Sequence, residues 1–338
     1  MSQQKDRNPL VAVVTGVYNG EPYLPATLAC VQTQTYSNLV HVVLDNASTD
    51  ATSNAINRFR EGRVPLIAKR NSSLLPQIEN WNLAFTLIPK RTRYVKLLAA
   101  DDLMRKDCIE RLVAIAEANP ETSCVMATDV FADRVKPHGL DPATAVFDGP
   151  QIAQRLLRRD LHWIPFHHLF FRASAHGPVL FDPAVNPGFD RDLFIQLLLN
   201  GKMGFVDEVL FYTRYHAANV TSALIADGAL LCERIAELQR CGNDILPNEQ
   251  VRVQLTAELR IILRHVLLHL VEGRLSLVAK TLDRLDRLGM SPGIFDYVAS
   301  ICSWPAYFSH KKLREAAFEA VTKPAIVTEE TFLNWSGC

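Results

Sequence analysis

The chain has 338 residues, 48% of them hydrophobic and 21% charged, with 36 Lys+Arg against 36 Asp+Glu. That length supports a large core and two domains, while the balanced charge gives no electrostatic footprint for a nucleic-acid partner. No apolar run approaches the ~20 residues of a membrane-spanning helix, and Met1 to Pro9 lacks the apolar core of a secretion signal, so a cytoplasmic protein is expected.

Seven cysteines, none in a C-x-x-C pair, predict free thiols in a reducing compartment. The sequon Asn219-Val220-Thr221 is accordingly read as unused.

In chain order, Leu10 to Val14, Leu39 to Leu44 and Tyr94 to Leu98 are short apolar runs rich in β-branched residues, separated by amphipathic stretches. They read as alternating strands and helices of an α/β unit with a largely parallel sheet. Ile109, Leu112, Val113 and Ala116 recur at helical spacing, and Asn119-Pro120 ends that helix before the apolar run Cys124 to Ala127. Prolines and glycines punctuate Phe131 to Pro187, where a short helix over Gln151 to Arg159 and a strand over Leu169 to Arg172 are predicted. A helix over Leu193 to Asn200 stops at Gly201, and Phe205 to Tyr215 reads as a strand or hairpin. Beyond residue 222 the pattern is helical, with stripes Leu259/Ile262/Val266/Leu270 and Leu282/Leu285/Leu288 and a break at Cys241 to Pro247. Two units follow: 1–222, carrying the sheet, and 223–338, helical.

Three of the strand-like runs end in small, polar or acidic residues: Thr15 to Gly20, Asp45 to Asp50, and Asp101-Asp102. Ligands of α/β sheets gather beyond the carboxyl ends of the strands, so these ends predict one polar site. Adjacent carboxylates repel unless a cation or donors compensate them, and oxygen ligands suit Mg²⁺ or Mn²⁺; a helix cap is the competing role for Asp101 or Asp102. Asp45 to Asp50 fits a turn-and-cap cluster as well as a nucleobase contact through Asp45 or Asn46.

Gly16-Val17-Tyr18-Asn19-Gly20, Gln34-Thr35-Tyr36, Asp45 to Asp50 and Asp101-Asp102, followed by Gly188 to Phe194 and Tyr212 to His216, resemble family 2 glycosyltransferases over roughly residues 9 to 220. The resemblance implies a GT-A fold: a mostly parallel sheet flanked by helices, here with a C-terminal helical region outside the likeness. It implies an inverting transfer of a sugar from a nucleoside diphosphate donor, UDP-sugar favoured, to a glycan or glycolipid hydroxyl in surface polysaccharide synthesis. A lipid-linked acceptor would bring the protein to the inner face of the membrane. By the same resemblance Gly16, Val17 and Tyr18 line the nucleotide base, and Asn46 stands where relatives most often carry an Asp that holds it; Asp45 stays a candidate base contact from its place beside Asn46. Asp101 lies near the ribose and donor sugar, Asp102 binds Mn²⁺ or Mg²⁺, and Arg214 and His216 lie near the diphosphate; His216 is also, by its imidazole chemistry, a candidate metal ligand. Asp190 activates the acceptor, with Asp192 as the alternative base. Ala99 and Phe189 replace acids common in relatives, which keeps a noncatalytic scaffold or partner-binding protein as an alternative.

A sugar nucleotidyltransferase needs a basic Gly-rich loop after the first strand, and Gly16 to Pro22 holds no basic residue. No G-x-G-x-x-G follows that strand either, which argues against a dinucleotide oxidoreductase. His167-His168 are weighed as acceptor-facing. His265 and His269 share a helix face but lack a third ligand for zinc.

Overall fold

The computed structural model describes residues 8–136, 138–161, 169–175, 180–216, 222, 224, 227–305, 312 and 326–336. Its centre is a ten-stranded sheet in the order β3-β2-β1-β4-β9-β6-β10-β5, with β7 on β6 and β8 on β10. The strands are β1 Val11–Val17, β2 Leu39–Asp45, β3 Leu66–Arg70, β4 Tyr94–Leu97, β5 Leu103–Met104, β6 Thr122–Phe131, β7 Arg134–Val135, β8 Val146–Phe147, β9 Phe170–Arg172 and β10 Lys202–Thr213. The helices among them are α1 Leu24–Gln32, α2 Thr52–Asn57, α3 Gln77–Thr86, α4 Cys108–Ala118, α5 Gly149–Leu157 and α6 Phe189–Leu199.

Strands β1 to β4 run parallel, as do β6 and β10. The two parallel blocks are joined by β9, antiparallel to β4 on one side and to β6 on the other. All seven residues of β2 are buried, the signature of a strand covered by helices on both faces. Helix α5 starts where Asp148 accepts the Gln151 amide at 2.9 Å, an N-cap of the usual kind. A Cβ on Gly149 would lie 2.0 Å from the Gly201 carbonyl oxygen, so glycine lets the start of α5 press against the end of α6.

The expected strands at 10–14, 39–44 and 94–98 appear as β1, β2 and β4, and the run from Phe205 is the end of one long strand, β10. The helix expected from Leu193 begins earlier, at Phe189.

The remaining helices are α7 Ala229–Ile245, α8 Asn248–Val271, α9 Leu275–Arg287, α10 Ile294–Cys302 and α11 Glu329–Ser336. The helical break is confined to Leu246-Pro247. Helices α7 to α9 enclose a small core of Cys232, Ile235, Ile262, Leu263, Val266 and Leu285. Of the expected stripe Ile262 and Val266 are buried, whereas Leu270 is 51% exposed. Helix α11 does not join this core: Val327 and Phe332 are buried in the sheet's own core beside Tyr212.

Candidate active site

The loops after β1 and β2 are bound to each other by backbone donors and short side chains. Asn19 N donates to Ser48 Oγ at 2.9 Å, Gly20 N to Thr52 Oγ1 at 2.9 Å, Glu21 N to Asp50 Oδ2 at 3.1 Å, and Thr49 N to Asn19 Oδ1 at 2.8 Å. Asn19 and Ala47 both hold positive φ, 50° and 58°, the left-handed region that a turn here requires and that side chains disfavour. Gly16 faces α3, where a Cβ would lie 2.9 Å from Asn80 Nδ2. Val17 is buried, and Tyr18 is the exposed member of the trio.

Asp45 uses both carboxylate oxygens on its own chain: Oδ1 accepts the Ser48 amide at 2.9 Å, while Oδ2 accepts Ser53 Oγ at 2.6 Å and Arg70 Nε at 3.2 Å. Asn46 is buried and locks the loop after β3. Its Oδ1 accepts from Asn71 Nδ2 and from Leu75 N, each at 2.9 Å, and its Nδ2 donates to the Leu75 carbonyl at 2.9 Å. An aspartate here would set a second acceptor against that carbonyl, which is a physical reason for the amide.

Asp101 and Asp102 face different environments. Asp102 is 3% exposed, and its Oδ1 accepts the Arg214 amide at 3.2 Å. Burial, then the neighbouring Asp101 charge, pushes its carboxyl well above the usual carboxylate range. Beneath it the buried Lys96 places Nζ 4.0 Å from the Phe211 ring centre, and burial lowers this amine to about 7. Asp101 instead turns outward, its Oδ2 3.1 Å from His216 Nε2. The His216 ring stacks on Tyr23 at 4.3 Å, and the Arg214 guanidinium lies 5.5 Å from the same Tyr23 ring. Thr27 Oγ1 ties the acid pair to α1 by donating to the carbonyls of Ala100 and Asp102, each at 2.9 Å.

Asp101, Asp102, Arg214 and His216 therefore meet at one rim, where the end of β10 lies against the loop after β4. The neighbouring loops after β1 and β2 continue it. Among the described residues no three His, Cys, Asp or Glu side chains gather as a closed metal cluster. The outward pair Asp101 and His216 nonetheless fits a Mg²⁺ or Mn²⁺ site, since such ions take few protein ligands and complete their shell with phosphate and water. Among the described residues the buried His216 Nδ1 has no hydrogen-bond partner, and the ring is seated by its stack on Tyr23.

Asp190 is held by α6 rather than by the strand ends. It is partly exposed, and its Oδ1 accepts the Arg191 amide at 2.9 Å. Burial raises its carboxyl to about 6, a value suited to a base working near neutrality. Arg191 turns away and grips Glu237 of α7 through two bonds of 2.8 Å; Glu237 also pairs with Arg234, which reaches Glu258 of α8 at 3.6 Å. Gly188 lets the Glu233 carboxylate lie against the start of α6: a Cβ there would come within 1.7 Å of Glu233 Oε1, so that side chain would have to move. Asp192 points elsewhere, accepting Gln196 Nε2 at 2.7 Å with Arg240 at 3.9 Å. Phe189, in place of an acid, packs on Phe181 at 4.8 Å.

His167, His168 and the sequon lie outside the described residues. The His265 and His269 rings are 6.3 Å apart, and His269 Nδ1 approaches Glu272 at 3.4 Å. Tyr23, Thr27, Lys96, Glu237 and Glu329 escape sequence reasoning. Only Lys96 leaves a trace, as a charge inside an apolar strand run.

Residues 12–196 match the model of Glycosyl transferase family 2, more than half of the chain, and the chain belongs to that family. An uncharacterized glycosyltransferase of Haemophilus influenzae is 28% identical over 113 residues, 33% of this chain and 34% of that protein. The hyaluronan synthase of Pasteurella multocida is 23% identical over 219 residues, 64% of this chain and 21% of that protein. The chain thus spans about a third or less of the length of these two relatives. The putative teichuronic acid biosynthesis glycosyltransferase TuaG of Bacillus subtilis is 27% identical over 121 residues, 35% of this chain and 45% of that one.

In three dimensions, S. aureus TarS 1–349 in complex with UDP aligns with a TM-score of 0.59 at 13% identity, covering 88% of this chain and 91% of that one. The mannosyltransferase PcManGT of Pyrobaculum calidifontis, in complex with GDP-Man and Mn²⁺, aligns with a TM-score of 0.55 at 16% identity, covering 94% and 86%. The fold is of the GT-A type.

Proposed function

We propose that the chain is an inverting glycosyltransferase that moves a sugar from a nucleoside diphosphate donor to a hydroxyl of a glycan or lipid-linked glycan, with Mn²⁺ or Mg²⁺. The observation that carries this reading is the outward Asp101–His216 pair at the carboxyl ends of the strands, where α/β sheets bind ligands. When bound, the cation supplies charge that neutralises the diphosphate and eases its departure.

The division of labour follows from which groups are accessible. Tyr18, exposed after β1, offers a face to the base, and Asn46 shapes the base pocket by fixing the loop at 71–75. Asp101 and His216 hold the cation. Asp102, turned inward, braces Asp101 and the end of β10 rather than meeting the ion. Asp190 takes the proton from the acceptor hydroxyl as its oxygen attacks the anomeric carbon from the side opposite the departing diphosphate, which inverts that centre. We assign residues 1–222 to the donor site and 223–338 to a helical region that supports it.

A UDP-sugar is favoured by the likeness in fold to S. aureus TarS, whose structures are complexes with UDP and UDP-GlcNAc. A role in surface polysaccharide assembly is supported by TuaG. No helix among the described residues is long and apolar enough to cross a membrane; contact with a lipid-linked acceptor would be peripheral.

The test is metal-dependent hydrolysis of a panel of nucleotide sugars by the purified chain. One donor should be cleaved preferentially, and only with the divalent ion present. Absence of hydrolysis and of nucleotide binding across the panel would favour the noncatalytic scaffold.

A further inference from the structure

Residues 326–336 return from the helical region to the rim of the site. Ile326 bridges Arg134 of β7, and Val327 N donates to the Asp133 carbonyl at 3.0 Å. Phe332 is fully buried, its ring 5.6 Å from that of Tyr212. This docking delivers Glu329 to Arg214, whose Nε and Nη2 both reach Glu329 Oε1, the first at 2.9 Å. From the other side Arg214 Nη1 donates to the Asp101 carbonyl at 2.7 Å, and its backbone amide donates to Asp102. The guanidinium, itself largely buried, therefore joins the C-terminal segment to the acid pair in two steps.

We propose that Glu329 is a positioning residue for the donor site: by fixing the Arg214 guanidinium, it sets the loop that carries Asp101 in the conformation that receives the cation and diphosphate. The inference rests on the cation reading given above. It makes the C-terminal segment part of the site although it lies 115 residues beyond Arg214 and outside the family match, which ends at residue 196. The chemistry suits the task. A carboxylate against a guanidinium is a strong, charge-assisted contact, and burial of the guanidinium side shields it from screening. Diphosphate then meets a loop already ordered, so less binding energy is lost in ordering it.

The experiment is calorimetric titration of UDP into the full-length protein, with and without Mn²⁺, for wild type, Glu329→Ala and Glu329→Gln, with thermal melting run in parallel. Wild type should bind more tightly with Mn²⁺, Glu329→Ala should weaken the Mn²⁺-dependent binding about tenfold or more, and cation-free binding should change little. Glu329→Gln, which keeps an acceptor for Arg214, should fall between the two and answers the question if Glu329→Ala does not fold. A lower melting temperature with Mn²⁺-dependent affinity unchanged would reduce Glu329 to a structural anchor and overturn the proposal. Tighter binding would overturn it as well, because Glu329 would then be competing with diphosphate for Arg214. Wild-type binding indifferent to Mn²⁺ would instead bring down the cation reading itself, and this proposal with it.

Discussion

Asn46 shows how a departure from the family's common acid has a local physical cause. Its amide donates to Leu75 O while its carbonyl accepts from Asn71 and Leu75. Asn46→Asp would bring two acceptors together in a buried place, so it should cost about 1–3 kcal/mol of stability in urea denaturation. A variant of unchanged stability would mean that the loop does not depend on this amide. Asp190 makes a second prediction, through pH. Burial lifts its carboxyl from 3.8 to about 6, so the base form is lost as pH falls through that range. The rate of transfer should decline below about pH 6, tenfold per unit, and level off above it. Stability has the opposite sign: the folded value exceeds the unfolded one, so ionising Asp190 is a cost that develops between about 4 and 6. Asp190→Asn should thus melt no lower than wild type at pH 7 while transferring at least ~10²-fold more slowly; full activity in this variant would remove the base from Asp190. Residue identities at the strand ends were legible because three such ends follow one another in the first third of the chain, although each alone fits a turn or a helix cap as well. Their orientation was not. Sequence reasoning gave the cation to Asp102, whereas burial turns Asp102 inward and leaves Asp101 facing His216, and nothing in two adjacent aspartates says which one points out.

Strands β1, β2 and β4 announce themselves as β-branched runs, and α4 by its regular apolar spacing. Strand β3, by contrast, is an edge strand ending in Lys69-Arg70, half-exposed along its length, and it carries no such signal. Strand β9 was expected over Leu169 to Arg172 and is found at Phe170–Arg172, but its antiparallel place between two parallel blocks is set by long-range pairing rather than by local pattern. The early start of α6 has a similar origin: Phe189 to Asp192 are helical because Phe189 packs on Phe181 and Arg191 is drawn to α7. The contact between α6 and α7 is testable. Glu237 is buried between Arg191 and Arg234, and these arginines together with the Coulomb field of Arg240 hold its carboxyl below the usual range against the opposing effect of burial. Glu237→Ala leaves two buried guanidinium groups without their shared carboxylate, so it should destabilise by about 3–5 kcal/mol. Pairing Glu237→Leu with Arg191→Leu should recover part of that loss in a double-mutant cycle. Simple additivity of the two changes would show that the pair is not coupled.

Across the chain the proposed donor rim draws on distant parts: the loops after β1 and β2, the acid pair after β4, the end of β10, and α11 returning from the far end of the sequence. The helical character of residues 229–302 could be read from apolar periodicity, but the return of 326–336 could not, since a segment of eleven residues carries no record of the surface it will meet. The cation at this rim is the central claim, and it separates Asp101 from Asp102. The most direct measurement is a crystal structure of the full chain with UDP and Mn²⁺, in which the metal is located by its anomalous scattering. A manganese peak is expected in contact with the Asp101 carboxylate and His216, with the diphosphate on its outer side and Asp102 still bonded to the Arg214 amide. A manganese peak away from Asp101, or UDP bound beyond reach of the strand ends, would contradict that claim.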